Sequence, residues 1–121
     1  WICSGQSNMG FAVRSMFNGT EEIENAARYP QVRLFTASKQ QSLVPEEELL
    51  AIALQWSVAS AESVGSAYTS AVCWLYGRMI HAELGGRPIG LVHTSWGGTA
   101  VELWSPLQVL KDCGIAPYVE S

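Results

Sequence analysis

The chain has 121 residues, 48% of them hydrophobic and 15% charged, with 7 basic against 11 acidic side chains and a formal charge of −4. That length suits one domain or part of one, and the composition excludes intrinsic disorder, which needs low hydrophobicity and high net charge. No Lys/Arg cluster offers a field to phosphate backbones or anionic lipids, and the longest uncharged stretch, residues 63–77, has fifteen positions, fewer than the roughly twenty of a membrane span. Neither nucleic acid nor membrane is an expected partner.

Residues 1–3 read as the end of a buried strand, so the chain is expected to begin inside an element, with its natural start missing. Ser4-Gly5-Gln6-Ser7-Asn8 then supply the small and polar types of a tight strand-to-helix turn, with Asn8 a candidate cap for the helix after it and a candidate supporting residue that donates its side-chain amide to the turn. A short helix is predicted over 21–28 with Thr20 as N-cap, and a second strand over 31–38 with Val32, Leu34 and Thr36 on one face. Residues 39–65 are ambiguous: Pro45-Glu46-Glu47-Glu48 looks like a helix start with a solvated acidic face, and 54–58 alternates like a short strand, so the segment is read mostly as loop. From 66 to 84 the recurrence of Tyr68, Val72, Leu75, Met79 and Ile80 is helical, and Gly85-Gly86 ends it. A third strand follows over 89–94, then the glycine turn Ser95-Trp96-Gly97-Gly98-Thr99, then a helix opened by Ser105-Pro106 and closed near Gly114.

Strands alternating with helices predict an α/β fold with a mostly parallel sheet and right-handed crossovers, holding three strands where a complete sheet has about five or six. In an open doubly wound sheet the first and third strands lie side by side with the second outside, and ligands bind beyond the carboxyl ends of the central pair. Ser7 and Gly98 follow those two strands. Three cysteines, Cys3, Cys73 and Cys113, lack any CxxC or Cys/His spacing, which argues against a metal site and permits at most one internal bridge. Asn18-Gly19-Thr20 is a glycosylation acceptor sequence, meaningful only on the secretory route.

A serine on a sharp turn after a strand exposes its Oγ, and the amides of Ser7 and of Gly97 or Gly98 are candidate oxyanion donors. A lone Gly-x-Ser turn is more often the mark of an ordinary loop. Gln6 is a candidate brace of the turn, and Thr99 a supporting residue beside it. Trp56, Trp96 and Trp104 offer flat faces for a sugar ring, Trp96 first because it borders Gly97. His81 reads as a structural helix residue, His93 as a hydrogen-bonded strand residue near the site, and Asp112 as a surface charge.

The run Trp1-Ile2-Cys3-Ser4-Gly5-Gln6-Ser7-Asn8-Met9 resembles the nucleophile block of sialate O-acetylesterases, a branch of the SGNH (GDSL-like) hydrolases. Ser70-Ala71-Val72-Cys73-Trp74, Pro88-Ile89-Gly90-Leu91, Ser95-Trp96-Gly97-Gly98-Thr99, Glu102 and Trp104-Ser105 resemble the same family in the same order, over nearly the whole chain. The resemblance implies a three-layer α/β/α sandwich of which 1–121 is the incomplete N-terminal part. It implies Ser7 as nucleophile, Gly97 or Gly98 in the oxyanion block, and no cofactor. It also implies an acetyl ester of a sialic acid or related sugar as substrate, and a lysosomal or secreted location, with a cytosolic form as the other option. The family's Gln-Gly-Glu and Asp-x-x-His blocks are absent. The acid and base are therefore expected outside this chain, supplied by the rest of the domain, and the isolated piece is expected to be nearly inactive. A noncatalytic carbohydrate-binding or assembly module on the same fold is the alternative reading.

Overall fold

The computed structural model describes residues 1–115. Its strands are β1 (Ile2–Cys3), β2 (Val32–Ala37), β3 (Ile52–Val58) and β4 (Ile89–His93), and its helices are α1 (Gly19–Asn25), α2 (Ala61–Val64), α3 (Ala71–Glu83) and α4 (Leu107–Asp112). They form a four-stranded sheet in the order β1-β4-β2-β3. The β1–β4 and β4–β2 pairs are parallel, whereas β3 runs antiparallel to β2. The first and last strands in sequence are thus neighbours, with β2 outside them, as the doubly wound expectation required.

The fourth strand corrects the expectation of three strands, while the sheet is mostly parallel as expected, with β3 its antiparallel member. β3 occupies a segment read mostly as loop, and its pairing with β2 shifts register twice between Leu34 and Ala37. β3 is an edge strand with no fully buried residue, so only the short alternation over 54–58 marks it in the sequence. The acidic run starts no helix: Glu46 instead accepts a hydrogen bond from Ser42 Oγ (2.7 Å) in an exposed turn. α2 was also unforeseen, and it is held by Ser60, whose side chain accepts from the Ser63 amide while Ser63 Oγ accepts from the Ser60 amide.

α3 begins at Ala71, later than the predicted 66, because Ser70 is its N-cap and accepts from the Cys73 amide. Residues 66–69 are diverted into a loop: Thr69 donates its hydroxyl to Ser63 O (2.6 Å), and its carbonyl accepts from the Val13 amide. Tyr68, expected on the helix, therefore lies outside it. α1 starts at Gly19 with Asn18 rather than Thr20 at the cap position, and a 3-10 turn, Ala26–Arg28, completes the predicted stretch. The last helix opens with Pro106 at the cap.

One sheet face and α3 enclose the core. Val32, Leu34, Ile89 and Leu91 alternate toward it, joined by Trp74, Val13, Val64 and Ala26. Gly77 permits the close approach of α3, because a Cβ there would sit 2.5 Å from Leu91 Cδ1. Trp74 is fully buried, stands edge-on to Tyr29 and donates its indole N–H to Glu22. Glu22 in turn pairs with Arg78, tying α1 to α3. A disulfide joins Cys3 at the end of β1 to Cys73 in α3, leaving Cys113 free and exposed. The opposite sheet face leaves Ile2, Trp56 and Val58 largely exposed, so the described residues build two of the three layers expected.

Candidate active site

Both candidate turns leave the carboxyl ends of adjacent parallel strands, since Cys3 in β1 is paired with His93 in β4. The ladder continues past the strands: the Thr94 amide donates to Cys3 O (3.1 Å) and the Trp96 amide to Gly5 O (3.0 Å). Ser7 and Gly97 meet as a result. A Cβ at Gly97 would lie 3.7 Å from Ser7 Cα and 3.8 Å from Ser7 Cβ, so the bare glycine leaves open a methyl-sized place beside the serine. Gly98 turns the chain away with φ +79°, a conformation that favours glycine.

Ser7 is exposed, and among the described residues no group hydrogen-bonds its Oγ. No regular helix follows it. The Gly10 amide donates to Gln6 O (2.9 Å), closing a single turn, and Ala12 then pairs with Ser70 in an isolated antiparallel bridge. That bridge pulls the chain into extended form, which is why Asn8 caps no helix and merely offers its carbonyl to the Phe11 amide (3.4 Å). The turn is anchored inward by Met9, whose sulfur accepts from Ser70 Oγ (3.5 Å) and whose side chain packs on the core. Gln6 braces it across the gap, donating Nε2–H to Thr99 O (3.0 Å).

Beneath the turn runs a buried polar chain that sequence reasoning did not assemble. His93 hydrogen-bonds Tyr68 O through Nδ1 (2.8 Å) and Ser95 Oγ through Nε2 (2.5 Å). A carbonyl only accepts, so Nδ1 carries the proton and Nε2 accepts from the Ser95 hydroxyl. Tyr68 O also accepts from Thr36 Oγ1 (3.0 Å). Burial holds the imidazole below its ordinary value of 6.5, the bond to Tyr68 O opposes that shift, and the positive charge of Lys39 adds to it. A neutral, fully bonded His93 is thus a structural residue. Ser95 Oγ in turn lies 3.1 Å from where a Cβ at Gly10 would sit, so the chain supports the Ser7 turn from below. The only legible trace of this network was the His-x-Ser spacing at the end of β4.

His81 is half-buried and bonds Arg87 O through Nδ1 (2.8 Å), and Asp112 is exposed and accepts from Gln108 (2.8 Å). Neither lies against Ser7. Of the three tryptophans, Trp56 packs on Phe35 at the opposite sheet face, and Trp96 is half-buried. Trp104, ranked behind Trp96 by sequence, is the one that lines a groove of about 320 Å³ together with Ser4, Gly5, Gln6, Thr99 and Val101.

An exposed serine and a glycine turn meeting at the carboxyl edge of such a sheet fit an ester hydrolase, and the fold matches one. The crystal structure of a carbohydrate acetylesterase from Xanthomonas citri superposes with a TM-score of 0.82 at 29% identity, covering 93% of this chain and 24% of that one. The fold is that of a carbohydrate esterase. More narrowly, the chain belongs to the carbohydrate esterase family of sialic acid-specific acetylesterases, whose family model matches residues 1–117. It is 47% identical over 118 residues to the sialate O-acetylesterases of Pongo abelii and Homo sapiens, and 45% identical to that of Mus musculus. It spans about a fifth of the length of these relatives, 22% of each.

Proposed function

We propose that this chain is the nucleophile-bearing part of a serine carboxylesterase that removes O-acetyl groups from sialic acids or related sugars. The observation that carries the reading is the meeting of Ser7 with Gly97 across ninety residues of chain, 3.7 Å from Ser7 Cα to the place of a Cβ at Gly97. Ser7 Oγ attacks the acetyl carbonyl, and its proton passes to a base contributed by chain outside this segment. The resulting oxyanion sits against the turn amides of Ser7 and of Gly97 or Gly98, which are fixed before the charge develops. The sugar hydroxyl leaves with a proton, and water then releases acetate and restores Ser7. Neither His93 nor His81 serves as the base, since each already spends its ring nitrogens elsewhere or lies away from Ser7.

The disulfide Cys3–Cys73 and the exposed acceptor Asn18 at the start of α1 fit the oxidising secretory route, which supports a lysosomal or secreted location. The expected third layer is supplied by the rest of the domain over the exposed sheet face. In the full-length polypeptide, Ser7→Ala should lower acetate release from O-acetylated sialic acid by about 1,000-fold or more. Turnover retained in that variant rejects Ser7 as nucleophile. Sugar binding with no hydrolysis by the unmutated full-length protein would favour the noncatalytic module instead.

A further inference from the structure

We propose that the groove between the two turns is the sugar-binding subsite of this centre, with the Trp104 indole as the platform on which the pyranose ring lies. The proposal deepens the esterase reading and rests on it for the position of the acetyl group. A tryptophan that remains 43% exposed loses its usual reason for order, which is burial. Trp104 is nonetheless fixed: its indole N–H donates to Thr99 Oγ1 (2.8 Å), the Thr99 hydroxyl donates to Trp96 O (2.7 Å), and Thr99 O accepts from Gln6 (3.0 Å). Three hydrogen bonds through one residue therefore lock an aromatic face to both the Ser7 turn and the glycine turn.

The groove's size and chemistry suit a single sugar. Its volume of about 320 Å³ is at the lower end of small-ligand sites, which run from ~300 to ~1,000 Å³. Its lining includes Ser4 and Gln6, with hydroxyl and amide groups able to bond ring hydroxyls, and the apolar Val101 and Trp104. Among the described residues no charged side chain lines it, so it fits the uncharged C–H face and hydroxyls of a pyranose. Gln6, which lines the groove, directly precedes Ser7 in the chain, so the groove lies beside the nucleophile's own turn.

The test uses the full-length polypeptide and two acetyl esters, O-acetylated sialic acid and 4-nitrophenyl acetate, which has no sugar. Trp104→Ala should lower the ratio of kcat/KM for the sugar ester over the nitrophenyl ester about 10-fold, mainly through KM, and Trp104→Phe should recover much of that ratio. Equal losses on both esters would show that Trp104 only supports the turns and would overturn the subsite, as would no change on either. In the Ser7→Ala background, NMR titration with O-acetylated sialic acid should show binding that Trp104→Ala weakens about 10-fold. That measurement needs no turnover, so loss of the subsite and failure of the esterase reading give different results: unaltered binding sinks the first, and hydrolysis retained in Ser7→Ala sinks the second.

Discussion

The two faces of the sheet are made by the same strands and have opposite fates. On one, Val32, Leu34 and Leu91 are sealed under α3, and Thr36 and His93 are buried with all their polar atoms bonded. On the other, Ile2 is 75% exposed, Trp56 54% and Val58 45%. Because neighbouring residues in a strand point to opposite sides, the difference cannot come from the strands and must come from what is laid on them. The buried face braces the two turns, since Ser95 Oγ, bonded to His93, lies against Gly10 in the turn after Ser7 and the disulfide ties Cys3, just before that turn, to α3. The exposed face contributes pairing to the sheet and little to the site. The lesson is that, among the described residues, the bracing of the site comes from one side of the sheet.

The largest break in that comparison should come from the disulfide. It closes a separation of 70 residues, for which the loop-entropy argument gives about 4 kcal/mol. Replacing Cys3 and Cys73 together with Ala should lower the stability of the 121-residue chain by roughly that amount in urea unfolding. A loss well below about 1 kcal/mol would mean that the rest of the buried face holds β1 without it.

Acidification should act next, and through the same face. The His93 imidazole has a folded pKa below the ordinary 6.5, so the unfolded chain takes up a proton before the folded one does as pH falls. The contribution to stability is therefore complete above about 6.5 and is lost as pH drops from there through the folded value. Thermal unfolding between pH 7 and pH 5 should show a falling Tm, and the neutral variant His93→Gln should flatten part of that slope. An unchanged slope in the variant would relieve His93 of the role.

The smallest effect belongs to the open face. Trp56→Ser in the same chain should cost about 1 kcal/mol or less, against the roughly 3–5 kcal/mol expected of a fully buried tryptophan cut back. A cost of that larger size would mean the face is already covered in solution.

How much of this was legible follows from the range of each interaction. The helix around Ala71–Glu83, the strands β2 and β4, and the two turns at Ser7 and Gly97 announce themselves by local period and by turn residues. β3 announced itself only through the brief alternation over 54–58, because as an edge strand it buries no residue fully and its apolar positions give no sustained pattern. The start of α3 was misread by five residues because the hydrogen bonds of Thr69 to Ser63 and Val13 override a helical period that extends through Tyr68. Trp96 outranked Trp104 in sequence because proximity to Gly97 was the only guide, and the Thr99 bond that sets Trp104 in the groove is invisible there.

By itself, the sequence determined the alternation of elements, the serine and glycine turns, and the family to which they point, since each depends on residues within a few positions of one another. The tertiary structure alone decided that Cys3 pairs with Cys73, that Ser7 faces Gly97, that His93 is tied up by Tyr68 and Ser95, and that Trp104 rather than Trp96 borders the groove. Those facts are set by the register of parallel strands joined through long crossovers, and no short-range pattern encodes a register across tens of residues.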